Sequence, residues 1–399
     1  MIDQRMKRAA QAAALGMLVA CAPGASHAAD TLRPDVARPL SAAQDLYRAH
    51  KYRDALGKIA LAQAVPNKTP YEALTVDEMR GAAAMAAGDA ATAEQAYEAV
   101  LASDHAGAAD EQRTAAALAG LYFQSKRYPQ AIRTAQRYQK AGGADPEMRT
   151  LLLQSYYLSN DCTPVIATLK PVVEADARAG RATDEASLQM LATCAQRAND
   201  GATYLSALES LAVRYPNPAY QSQLFDAIRS RPGYLSSLDL DIYRLRRATG
   251  SLSSAGDYME MTQLAIVAGS TAEGKQVIDQ GFVSGALGHD AQADREKRLQ
   301  ALAAKRLLAP PDPANPVDPV DAGLNLVFAG KPADGLAQIR QAIAKGGLAH
   351  PDLAQLRLGE AYYVAGDKAR AQQAFRALSH GGHDGTAELA GLWGLVAAK

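Results

Sequence analysis

Along most of this chain apolar side chains return every three or four residues, and runs of strict alternation are scarce. "LSSLDLDIYRLRRATG", "YMEMTQLAIVAG" and "DREKRLQALAAKRLL" each gather their large apolar residues on one side of a helical period, which is the mark of amphipathic helices. Other stretches build that side from alanine, as in "GAAAMAAGDAATAEQAY", a composition that suits tightly packed helices far better than sheets. Glycine followed by aspartate, as at Gly366 and Asp367, interrupts the periodic runs and predicts a turn. The pattern therefore predicts an all-α protein.

The helices recur at a fixed length. Tyr122 and Tyr156 stand 34 residues apart, as do Ala131 and Val165, and Ala135 and Leu169. "LGEAYYVAGDKARAQQAF", residues 358–375, sets out one unit. Small Gly359 and Ala371 let two helices approach where they cross, Tyr362 and Phe375 fill the space beside the crossing, and Gly366 with Asp367 turns the chain. The same frame is met at Leu46, Ala55 and Ile59, at Gly81, Gly88, Ala93 and Tyr97, and at Gly323, Gly330, Gly335 and Ile339. A degenerate copy has Leu191, Ala192, Tyr204, Leu208 and Leu211.

This order resembles the tetratricopeptide repeat (TPR), a helix-turn-helix unit of that period, over residues 36–216 and 317–380. The resemblance implies a right-handed α-solenoid of stacked helical hairpins. Two departures stand out: the large aromatic of the family's first helix is absent, and the only tryptophan, Trp393, follows the last unit. The resulting domain map has a signal peptide at 1–28 (1–20 if the chain is a lipoprotein), a linker at 29–39, and five TPR-like repeats at 40–216. Diverged helical repeats follow at 217–308, then a proline-rich linker at 309–320, and two repeats with a capping helix at 321–399. "APPDPANPVDPV" holds five prolines in twelve residues, so it is extended and expected to separate a long solenoid from a short one. "HDGTAELAGLWGLVAAK" is expected to cover the open end of the stack.

The amino terminus carries Arg5, Lys7 and Arg8, an apolar run from Ala9 to Ala20, and then small residues. That is the layout of a secretory signal peptide and predicts export to a bacterial periplasm. Cleavage after "SHA" yields a soluble chain starting at Ala29. "LVAC" resembles a lipobox, which makes Cys21 a candidate lipidation site that would attach the protein to the outer membrane. Both readings stand.

Lys plus Arg and Asp plus Glu are 42 each, so no global field attracts nucleic acid, and none is expected as a partner. No serine-hydrolase elbow, zinc-protease motif, phosphate loop or zinc-type cysteine pairing occurs. His380, His383 and Asp384 in "SHGGHD" lack a fourth ligand and a helix to space them, so neither metal nor cofactor is expected. In the stack that the resemblance implies, Cys162 and Cys194 fall on helices packing antiparallel. A disulfide between them is the expectation in an oxidising compartment, with two buried thiols as the alternative.

In TPR proteins the first helices line a concave wall, and the residue after the tyrosine position tends to face it. That position holds Tyr47, Met85, Phe123 and Tyr157, and then Val327 and Tyr363: a candidate peptide groove, or side chains that complete packing between helices. The family's Lys and Asn set for gripping a terminal carboxylate is not at the matching places. The expectation is a non-catalytic scaffold of the cell envelope that binds a protein or peptide. The alternatives are a glycan- or peptidoglycan-binding protein, or an all-helical envelope enzyme built on convergent carboxylates.

Overall fold

The computed structural model describes residues 31–215, 217–310, 314, 316–378 and 384–398. The expected signal peptide, Cys21, His380 and His383 lie outside them. Among the described residues there are twenty α-helices, one 3-10 turn at Ser236–Leu238 and no strand. They form two compact units that meet in sequence at Pro171 and Val172.

The first unit is a run of hairpins: α1 (Pro34–Arg48) with α2 (Tyr52–Gln63), α3 (Pro70–Ala87) with α4 (Ala90–Ala102), and α5 (Ala108–Gln124) with α6 (Tyr128–Lys140). Next come α7 (Pro146–Leu158) and α8 (Cys162–Arg178), the helix in which the boundary falls. Proline opens α1, α3 and α7, where a missing N–H is harmless. Thr69 and Glu72 form a reciprocal capping box on α3.

The second unit contains α9 (Glu185–Arg197), α10 (Gly201–Arg214), α11 (Pro218–Arg229), α12 (Asp239–Ala248), α13 (Ala255–Val267), α14 (Thr271–Val283) and α15 (Ala293–Leu308). It continues with α16 (Pro319–Phe328), α17 (Pro332–Lys345), α18 (Pro351–Val364), α19 (Lys368–Leu378) and α20 (Thr386–Ala397).

One turn joins the paired helices throughout. The amide five residues on donates back to the carbonyls of Leu46, Ala84, Tyr122, Tyr156, Ala195, Ala265, Leu326 and Tyr362, each at 2.8 or 2.9 Å. The residue before each donor has positive φ: His50, Gly88, Lys126, Asn160, Asn199, Gly269, Gly330 and Gly366. This closure satisfies carbonyls that a helix end leaves open. The hairpin α13/α14 carries it too, so the diverged region 217–308 contains a unit of the same construction.

Close approach of paired helices rests on missing side chains. A Cβ on Gly81 would meet Tyr97 Cε1 at 2.3 Å, one on Gly323 would meet Ile339 Cγ1 at 2.6 Å, and one on Gly359 would meet Phe375 Cε1 at 2.4 Å. In each pair the large residue follows the glycine by sixteen positions, so a single crossing geometry is reused.

Two expectations about the organisation are revised. The proline-rich stretch 309–320 does not divide the chain, because the division falls inside α8 and helices on both sides of the stretch pack within the second unit. Its Val317 lies against Gly269, where a Cβ would come within 2.6 Å of the valine. Nor does the last helix only cap an end: α20 packs on α18 and α19 and also reaches α12. The backbone N–H of Leu235 donates to the Asp384 carbonyl at 3.2 Å, and Arg231 pairs with Glu388. The second unit thus folds its end back on its middle.

Candidate functional site

Tyr47, Met85, Phe123 and Tyr157 occupy equivalent places, one or two residues before the ends of α1, α3, α5 and α7. All four are half-buried. Tyr47 meets Tyr52 edge-on at 5.2 Å, and Phe123 meets Tyr128 edge-on at 5.8 Å. Met85 and Phe123 border the same apolar cluster, whose buried members include Tyr97, Leu118, Tyr122 and Leu151. Each of the four therefore has one side packed and one side toward solvent, as a shallow docking strip requires.

The strip lies on helices with an unusual acid. Glu78 of α3 faces Asp110 and Arg113 of α5, with Arg113 Nη2 at 3.8 Å. Burial first, and then the charge of Asp110, pushes Glu78 up to about 7. Its Oε1 is buried and has no hydrogen-bond partner, while Arg113 is committed to Asp110. Elsewhere on this unit, recesses of about 290 and 300 Å3 are lined by Glu98, Tyr122, Arg133 and Arg137, and by His50, Tyr52, Arg53 and Asp54. Glu98 accepts from the Tyr122 hydroxyl and Arg137 donates to Glu111, so both are engaged within the protein.

Of the remaining two groove residues, Val327 departs from the groove reading. Val327 is buried between α16 and α17, close enough that a Cβ on Gly335 would come within 2.7 Å of it. Tyr363 is half-buried, covered edge-on by Trp393 at 5.1 Å. Val327 thus completes the core, whereas Tyr363 keeps one side toward solvent as the other four do.

What fills that interior is ionic. Asp241 and Arg244 of α12, Glu273 of α14, Asp321 of α16, and Arg357 and Glu360 of α18 converge in one cluster, all buried. Arg244 donates to both oxygens of Glu273, at 2.9 and 2.7 Å, and through Nη1 to Asp241 at 2.8 Å and Glu360 at 3.2 Å. Arg357 donates to Asp321 at 2.6 Å, to Asp241 at 3.3 and 3.2 Å, and to the Ser237 carbonyl at 3.1 Å. Burial works against both guanidinium groups, but the surrounding carboxylates outweigh it and raise them above their ordinary value. These are the convergent carboxylates that an enzyme would need, yet they are tied to arginines and shut off from solvent. Sequence reasoning passed over them, although charged pairs three apart, Asp241 with Arg244 and Arg357 with Glu360, sit among core leucines in "LDLDIYRL" and "LRLGEAYY".

Cys162 and Cys194 are both disulfide-bonded. Among the described residues no group of His, Cys, Asp and Glu is arranged to hold a metal ion. No helix among them is long and apolar enough to cross a membrane.

No family model matches the chain, and no curated protein matches it. Solved structures similar to it include Naa15/Naa10 bound to HypK-THB, at 16% identity and a TM-score of 0.31, covering 86% of this chain and 57% of that one. The TPR domain of P58(IPK) follows at 15% identity and a TM-score of 0.25, covering 90% and 98%. Yeast Tom70 is similar at 10% identity and a TM-score of 0.25, covering 91% and 95%. The chain spans little more than half the length of the first of these. The helical-repeat assignment rests on the recurring turn and the glycine crossings described above.

Proposed function

We propose that this chain is a non-catalytic protein-interaction scaffold of the bacterial cell envelope, binding an extended protein or peptide segment along the first helices of its amino-terminal unit. The observation that carries this reading is the strip Tyr47, Met85, Phe123 and Tyr157: four large side chains, repeated at one register, each half-exposed. Adaptable methionine beside aromatics suits a partner gripped by side chains at intervals. Export is supported by the leader-like pattern of the first 28 residues and by the disulfide-bonded state of Cys162 and Cys194, since such bonds persist in oxidising compartments. Attachment to the outer membrane follows if Cys21 is acylated.

The test is site-specific photocrosslinking from position 47 or 123 in the exported full chain, with the captured molecule identified and the capture repeated in Met85→Ser. A protein captured from both positions, and lost in the variant, supports the scaffold; glycan strands alone overturn it. Mass spectrometry of the mature amino terminus separates an Ala29 start from a lipidated Cys21.

A further inference from the structure

Glu360 and Asp241 accept hydrogen bonds from the same nitrogen, Arg244 Nη1, in a place where they are 1% and 0% exposed. Two carboxylates converging on one N–H so far from water repel each other strongly unless one carries a proton. The inventory of charge points the same way, with four carboxyl groups facing two guanidinium groups. Glu273 takes Arg244 by two points and Asp321 takes Arg357 at 2.6 Å, which leaves Asp241 and Glu360 to share what remains of the two cations. The Oε1 of Glu360 is buried and accepts from no N–H or O–H, so that oxygen is free to carry a proton.

We propose that the second unit is closed by a proton-gated clasp, in which one proton shared by Glu360 and Asp241 holds α18 against α12 and its loss releases the α18–α20 end. The two residues stand on opposite sides of the proline-rich stretch 309–320, so the clasp secures a long-range closure that no local turn enforces. Asp241 and Arg244 face Glu360 from α12, Glu273 of α14 reaches it through Arg244, and Asp321 of α16 reaches it through Arg357. On the other helices packed against α18, the charged side chains are Asp334, Arg340 and Lys345 of α17, Lys368, Arg370 and Arg376 of α19, and Glu388 of α20. The α17 and α19 groups are exposed and Glu388 is taken by Arg231. Burial, and then the charge of Asp241, hold Glu360 well above the ordinary carboxyl range. At Asp241 burial is outweighed by Arg357 and Arg244, which keep it below. The proton therefore sits on Glu360 and points to Asp241.

The test follows amide hydrogen exchange in α12, α18 and α20 of the full chain between about pH 7 and 9, corrected for the intrinsic pH dependence. In the wild type, protection of these helices falls by up to about tenfold per pH unit, because opening releases to water a proton that the closed state keeps. In Glu360→Gln, which keeps the size and supplies a permanent N–H donor, it changes less than about twofold over the same range. Parallel profiles in the two proteins overturn the proposal. Should the variant fail to fold, infrared spectroscopy of the wild type decides. A protonated carboxyl band persisting at about pH 8.5, where ordinary carboxyls are ionised, supports the clasp, and its absence overturns it.

Discussion

The Cβ that Gly359 lacks would lie 2.4 Å from Cε1 of Phe375, and Phe375 cannot swing aside because it is 1% exposed and stacked on Trp393 at 5.7 Å. Gly359→Ala therefore destabilises the second unit by about 1–3 kcal/mol, the usual range for overpacking. Gly57, in the interior of α2, has nothing within 4 Å of a Cβ, so Gly57→Ala stabilises by about 0.5–1 kcal/mol. Denaturant midpoints of the two variants check the contrast, and equal shifts would refute the crossing geometry.

Two glutamates of the first unit set opposite pH limits. Hydrogen bonds from Arg33 hold Glu72 down to about 2. A depressed carboxyl stabilises above its ordinary range, and that stability is lost as pH falls from 4.5 toward 2. Glu78, raised to about 7, works the other way: the fold binds its proton more tightly, so stability is fully present below 4.5 and lost as pH climbs toward 7. Glu78→Gln removes the second loss and leaves the first, while Glu72→Gln does the reverse. Urea midpoints at about pH 3, 5 and 7 read both slopes.

Arg357→Met leaves Asp241 and Asp321 facing one another without their shared cation. Removing one partner of a buried ionic set costs about 3–5 kcal/mol, so thermal unfolding of this variant is expected well below the wild type. Replacing exposed Arg48, whose partner Asp45 is also exposed, changes stability by less than about 1 kcal/mol.

Cys162 and Cys194 are bonded, so alkylation of the native chain without reductant labels neither, and labelling after reduction finds both. A non-reducing peptide map is expected to recover the two in one cross-linked fragment. Cys194→Ser then lowers stability by about 3–4 kcal/mol on the chain-entropy model.

Partner capture is expected to fall tenfold or more, about 1.4 kcal/mol, in Tyr47→Ala and in Phe123→Ala. Circular dichroism should show little lost helix, because each side chain has one face already in solvent. Unchanged capture in both variants would move the binding surface elsewhere.

Much of this architecture could be read before any coordinates. The repeat frame around Gly81, Gly323 and Gly359 is visible because a helix crossing demands a small residue at a fixed distance from a large one, and that demand leaves its mark in local spacing. The shared register of Tyr47, Met85, Phe123 and Tyr157 near the ends of their helices was legible for the same reason. Val327 misled, since the same register is covered there by the second helix of its own hairpin, where Gly335 seats it in the core.

The sequence by itself determined the helices, their paired turns and the glycine crossings, because each depends on residues within about one repeat of one another. Only the tertiary structure decided where the chain divides, that the proline-rich stretch lies inside a unit, and that Asp241 and Arg244 meet Arg357 and Glu360. The last of these turns on contacts between residues more than a hundred positions apart, and a helical period carries no information about which distant charge will neutralise a buried one.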